Sequence, residues 1–105
     1  MSFDEAWTKA ARHLDAALAR GGRTHGLADV EALVRRGAAQ LWAGPNSAVV
    51  TLVENDPLER RLLVWLAGGE LRELTEAVLP NVEAWGRTQG CRRLLVIGRA
   101  GWNGR

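Results

Sequence analysis

A chain of 105 residues with 47% hydrophobic and 25% charged content can build one core, and it is too apolar to stay disordered. Its 14 basic and 12 acidic residues leave a net charge of +2, too small to argue for general nucleic-acid affinity; the pI of about 9.5 reflects arginine, since every basic residue but Lys9 is Arg. Cys91 is the single cysteine, which excludes an internal disulfide and a cysteine-built zinc site, and with no signal peptide or bilayer-length apolar run the expected compartment is a bacterial cytoplasm or a virion assembled in it.

Ser2 and Glu5 fit a capping box, and Asp4 and Glu5 suit the positive end of a helix. Phe3, Trp7, Ala11, Leu14 and Leu18 then recur at helical spacing, until Gly21-Gly22 ends the first helix. A second helix is predicted from about 27 to 36, with Leu27, Val30, Leu33 and Val34 on one side and Gly37 as its stop. Two helices this close could form a helix-turn-helix, but sheet follows rather than a third helix, so they are read as a packing pair. From Ala38 the period changes. Residues 38–43 and 48–54 flank the turn signal Gly44-Pro45-Asn46-Ser47 and predict a hairpin. Asn55-Asp56-Pro57 makes the next turn, and 60–67 form a third strand.

Glu70 to Thr88 predict a helix with Leu71, Leu74, Val78, Val82 and Trp85 along one stripe, kinked or split by Pro80. After Gly90, residues 93–97 make the fourth strand. A strand, helix and strand in this order make a right-handed crossover between parallel strands, which are buried and should be nearly all apolar, as both runs are. The order α-α-β-β-β-α-β gives an α/β (α+β mixed sheet) class with helices on the faces, as one domain over 1–105.

That order resembles the central part of the GNAT N-acetyltransferase fold. More closely, the chain is similar to small GNAT-like proteins of tailed phages and prophages. The likeness rests on Leu41-Trp42, on Ala67-Gly68-Gly69 at a strand end and on Glu83-Ala84-Trp85 near the helix end. It also rests on Gly90-Cys91 leading to Gly98-Arg99, then Gly101-Trp102. In that family a glycine-patterned loop after the third meander strand binds the coenzyme pyrophosphate through its amides. Here the loop is only Ala67-Gly68-Gly69, and Glu70 and Glu73 stand in the first turn of the next helix, where carboxylates oppose a pyrophosphate. The chain holds no tyrosine, so the tyrosine that often serves as general acid in the family has no counterpart. The family fold also continues past the point matching Arg105 with another helix and two strands. The resemblance with these departures implies a truncated GNAT-like domain without acetyltransferase activity.

Gly68 and Gly69 read either as a ligand approach at the strand end or as a tight turn needing positive φ. Should acetyl-CoA bind, Leu66, Ala67, Gly68 and Gly69 are the residues to hold it, and Glu54, on the second meander strand, is the candidate general base. No cofactor is expected otherwise. The tail supplies Arg99, Trp102 and Arg105 as interaction candidates, with Arg92 and Arg93 adding basic charge nearby; nucleic acid is the weaker partner class. His13 and His25 lack the neighbours that would make a metal site, and Cys91 reads as a small core residue. Trp7, Trp42, Trp65 and Trp85 fall on apolar faces. The expectation is therefore a phage or prophage interaction module, self-associating or docked on an assembly, because a sheet edge left unpaired is usually covered. The alternative is an acetyl-CoA-dependent N-acetyltransferase with a shortened cofactor loop.

Overall fold

The computed structural model describes residues 3–20, 26–55 and 57–96. Helices α1 (Phe3–Arg20) and α2 (Leu27–Arg35) lead into strands β1 (Gln40–Gly44), β2 (Ser47–Asn55) and β3 (Arg60–Gly69). A helical stretch follows as α3 (Leu71–Glu73), a π turn (Leu74–Val78) and α4 (Leu79–Thr88), and strand β4 (Cys91–Val96) comes last. The four strands form one sheet in the order β1-β2-β3-β4. The first two pairings are antiparallel, whereas β3 and β4 run parallel, Leu62 opposite Leu94 and Leu63 opposite Leu95. This is the mixed α+β sheet that the apolar runs predict.

Both faces of the sheet are covered, which is why β2 and β3 read as unbroken apolar runs. On one face α1 lays Trp7, Ala10, Leu14, Ala17 and Leu18 against Ala48, Val50 and Leu66, with Val30 of α2 joining them. On the other, Leu74, Val78 and Val82 pack on Val49, Leu62 and Val64. Thr51 is fully buried, and its hydroxyl is satisfied twice. It accepts from Trp42 Nε1 at 3.0 Å and donates to Gln40 Oε1 at 2.9 Å. Away from the sheet, Arg35 of α2 bonds both Asp4 and Glu31 and lies 4.5 Å from the Phe3 ring centroid, tying the two helices together as a packing pair.

Three local departures from the sequence expectation have physical causes. Ala38 and Ala39 belong to the turn that follows α2, their amides both donating back to the Leu33 carbonyl, so β1 starts two residues late. The helix after β3 is split, as Pro80 predicts, but the break is a π turn ahead of the proline rather than a kink at it. Proline cannot bond the Glu76 carbonyl and its ring crowds it, and the wider π turn immediately upstream absorbs that misfit. Leu71 precedes this change of phase and stands 61% exposed, off the stripe that Leu74, Val78 and Val82 form. The third departure lies in β3. Val50 pairs with Leu66 while Thr51 pairs with Val64, so Trp65 is an extra residue, a β-bulge. Before it Leu62 and Val64 face α4; after it Leu66 and Gly68 face α1.

Candidate functional site

The residues that would hold a coenzyme all lie on β3 beyond the bulge. Leu66 is buried in the α1-side core, and Ala67 packs against the α4-side core. Among the described residues, pairing between β3 and β4 ends at Val64 opposite Val96, one residue before the bulge. Leu66 to Gly69 therefore form the far end of β3, held to β2 along their whole length by the pairs Leu66–Val50 to Gly69–Ser47.

Gly68 and Gly69 are accounted for by the chain's own packing. A Cβ on Gly68 would collide with the His13 carbonyl oxygen, because α1 crosses β3 with its backbone in contact there. Gly69 has φ +108, and a Cβ on it would strike the Asn46 carbonyl oxygen and Ser47. The next amide, Glu70 N, donates to that same Asn46 oxygen at 2.9 Å. Two carbonyl oxygens thus stand at the corner where a phosphate would need donors.

Glu73 is not turned toward the helix start. Its carboxylate reaches across to the β1–β2 turn, accepting from Asn46 N at 3.0 and 3.2 Å and from the Ser47 hydroxyl. It does the work of a turn anchor, because Ser47 is only 1% exposed and its hydroxyl needs a partner. Replacing Glu73 by Ala should lower stability by about 1–3 kcal/mol, read by urea denaturation, while Glu73→Gln keeps an acceptor and loses less.

The remaining sequence candidates do not gather at this corner. Glu54 is exposed and ion-paired with Arg61 at 2.5 Å, opposite Arg61 in the β2–β3 register. Arg61 and Gly68 are roughly 23 Å apart along a strand rising ~3.3 Å per residue, so Glu54 stands at the other end of the sheet from Leu66 to Gly69. Arg99, Trp102 and Arg105 lie outside the described residues, as do Ser2, His25 and Asp56. Arg92 and Arg93 are exposed on β4, Arg93 paired with Glu59 at 3.2 Å. His13 is half-buried, and Cys91 is half-buried against the α4-side core. Among the described residues no group of three or more His, Cys, Asp or Glu could hold a metal ion, and no helix is long and apolar enough to cross a membrane.

Sequence reasoning missed the bulge and the Glu73 anchor. It also missed an open cleft of about 230 Å³ between the β1–β2 turn and the π turn, bounded by Trp42, Pro45, Glu73, Ala77, Val78 and Asn81.

No family model matches the chain, and no curated protein matches it. Its fold does have a solved counterpart, described as the crystal structure of a probable acetyltransferase. The two agree with a TM-score of 0.70 over 99% of this chain and 80% of that chain, at 12% sequence identity. The chain therefore has an acetyltransferase-like fold.

Proposed function

We propose that this chain is a GNAT-like domain of a phage or prophage that works as a protein-interaction module, self-associating or docking on a larger assembly, and that it does not transfer acetyl groups. The observation that carries the reading is the corner after β3. Phosphate binding at a strand-to-helix turn needs free amides and open space. Here the Glu70 amide is taken by Asn46, and the open sides of Gly68 and Gly69 are filled by the His13 and Asn46 carbonyls. The residues present do not fit a coenzyme pyrophosphate. Nor do they assemble proton-transfer groups beside it: Glu54, on β2 opposite Arg61, is at the other end of the sheet, and the sequence holds no tyrosine.

The interaction role is supported by β4. It is an edge strand with no outer partner among the described residues, and Leu95 on it is 38% exposed. The phage or prophage origin rests on the order of short motifs from Leu41-Trp42 to Gly101-Trp102. Two measurements test the proposal together. Calorimetry with acetyl-CoA should show no binding at millimolar ligand, and light scattering after size exclusion should show a dimer or larger species. Micromolar acetyl-CoA binding would overturn the first half, and a strict monomer without a partner the second.

Such binding would establish the second reading, an acetyl-CoA-dependent N-acetyltransferase using strand-edge amides from Leu66 to Gly69. The likeness to a probable acetyltransferase over nearly the whole chain is what favours it.

A further inference from the structure

The described acidic side chains on the surface are mostly matched with arginine. Asp4 and Glu31 bond Arg35, Glu54 bonds Arg61, Glu59 bonds Arg93, Glu76 bonds Arg72 and Glu83 lies near Arg87. Glu73 departs from this pattern. It is half-buried, it is held only by the uncharged Asn46 amide and Ser47 hydroxyl, and no cation pairs with it among the described residues. A carboxylate has roughly four lone-pair sites, so acceptor capacity remains after these bonds. A half-buried anion without a counter-charge is a strong attractor for a cation that can reach it.

The cleft beside it is suited to one. Trp42 lines the cleft, and its ring is fixed by the Nε1 bond to Thr51 and by an edge contact with Trp85 at 5.7 Å between centroids. An immobilised indole attracts cations without further ordering. Asn81 donates from Nδ2 to the Ala77 carbonyl at 3.0 Å, which leaves Oδ1 as an acceptor with no described bond. The π turn sets the small residue Ala77 at the wall, and Val78 supplies apolar contact for a short carbon chain.

We propose that this cleft receives an organic monocation, an alkylammonium or guanidinium group, with its charge on Glu73 and its carbon stem against Trp42 and Val78. The site adjoins the Gly69 corner through Asn46 and Ser47 but opens on the other side, between β1 and the π turn, and the inference does not depend on whether acetyl-CoA binds.

The test is a ¹⁵N-detected NMR titration of the full chain with n-butylammonium, with a capped Gly-Lys-Gly peptide and with neutral n-pentanol. Saturable shifts are expected at Trp42 Nε1–H, the Asn46 amide and the Asn81 side-chain amide for the two cations and not for pentanol. Glu73→Gln should weaken binding about tenfold or more, the scale of a lost charge-assisted contact. Ala77→Leu, which leaves the Glu73 bonds intact, should block the cleft while the rest of the spectrum stays in place. Tighter binding of the peptide than of the free amine assigns the cation to a partner protein's side chain; equal binding assigns it to a small amine. Absence of saturable shifts, an equal response to pentanol, or unchanged affinity in Glu73→Gln overturns the proposal.

Discussion

Replacing Gly69 by Ala is expected to destabilise the protein by about 3 kcal/mol, with Gly68→Ala costing a similar amount. For Gly69 two terms combine. A side chain at φ +108 costs about 1–3 kcal/mol, and overpacking against the Asn46 carbonyl and Ser47 adds about 1–3 kcal/mol before relaxation. Gly68 has only the steric term, but its obstacle is the backbone of α1 at His13, which cannot rotate aside as a side-chain tip would. In a domain of this size ~3 kcal/mol corresponds to a Tm drop of roughly 10–20 °C. Gly37 is the control. Its φ is +83 but nothing lies within 4 Å, so Gly37→Ala should cost only about 1 kcal/mol. Urea denaturation followed by circular dichroism reads all three. Unchanged stability in Gly68→Ala and Gly69→Ala, with loss of acetyl-CoA binding, would assign the two glycines to a ligand and sink the packing account.

The sheet was legible because its strands are apolar in unbroken runs and its turns are marked by Gly, Pro and Asn. The apolar runs 62–66 and 94–96 predict strands covered on both faces and hence a parallel pair; the pairing is parallel, but Leu95 on the outer strand is 38% exposed. The same property hid the bulge. Where both faces are apolar, moving Trp65 out of register leaves no mark on the pattern, so the reversal of faces between Val64 and Leu66 could not be read. The start of β1, expected at Ala38 and found at Gln40, was misplaced for a different reason. Two alanines suit a helix terminus as well as a strand, and the Leu33 carbonyl decided between them.

The site was legible only in outline. Gly68-Gly69 was recognisable as a special corner, and of the two only Gly69 takes the positive φ that glycine permits. What the glycines accommodate was not, since His13 and Asn46 are distant in sequence and adjacent only through the fold. Glu73 shows the same limit. At the start of a helix a carboxylate reads as a favourable partner for the helix dipole. Its actual partners, Asn46 and Ser47, come from a turn that only the β1–β2–β3 register brings alongside.

Leu14→Ala carries the other large effect, an expected loss of about 3 kcal/mol. Leu14 is 0% exposed at the centre of the α1-side core, and burying such a side chain is worth about 2–5 kcal/mol once the cavity it leaves is counted. A small domain holds only about 5–15 kcal/mol in total, so this one truncation removes a large share. The position matters beyond the area buried. Leu14 follows His13, whose carbonyl rests on Gly68, so the leucine draws α1 onto β3 where the strand lacks a side chain. The two sites should then be coupled. With Leu14 truncated, α1 has room to lift from Gly68, and the double variant Leu14→Ala with Gly68→Ala should lose less than the sum of the single losses. Leu58→Ala, at a residue 93% exposed, should stay within about 0.5 kcal/mol of the parent and calibrates the series. Strict additivity in the double variant would mean that α1 and β3 are not held together through this seam, and Gly68 would need another explanation.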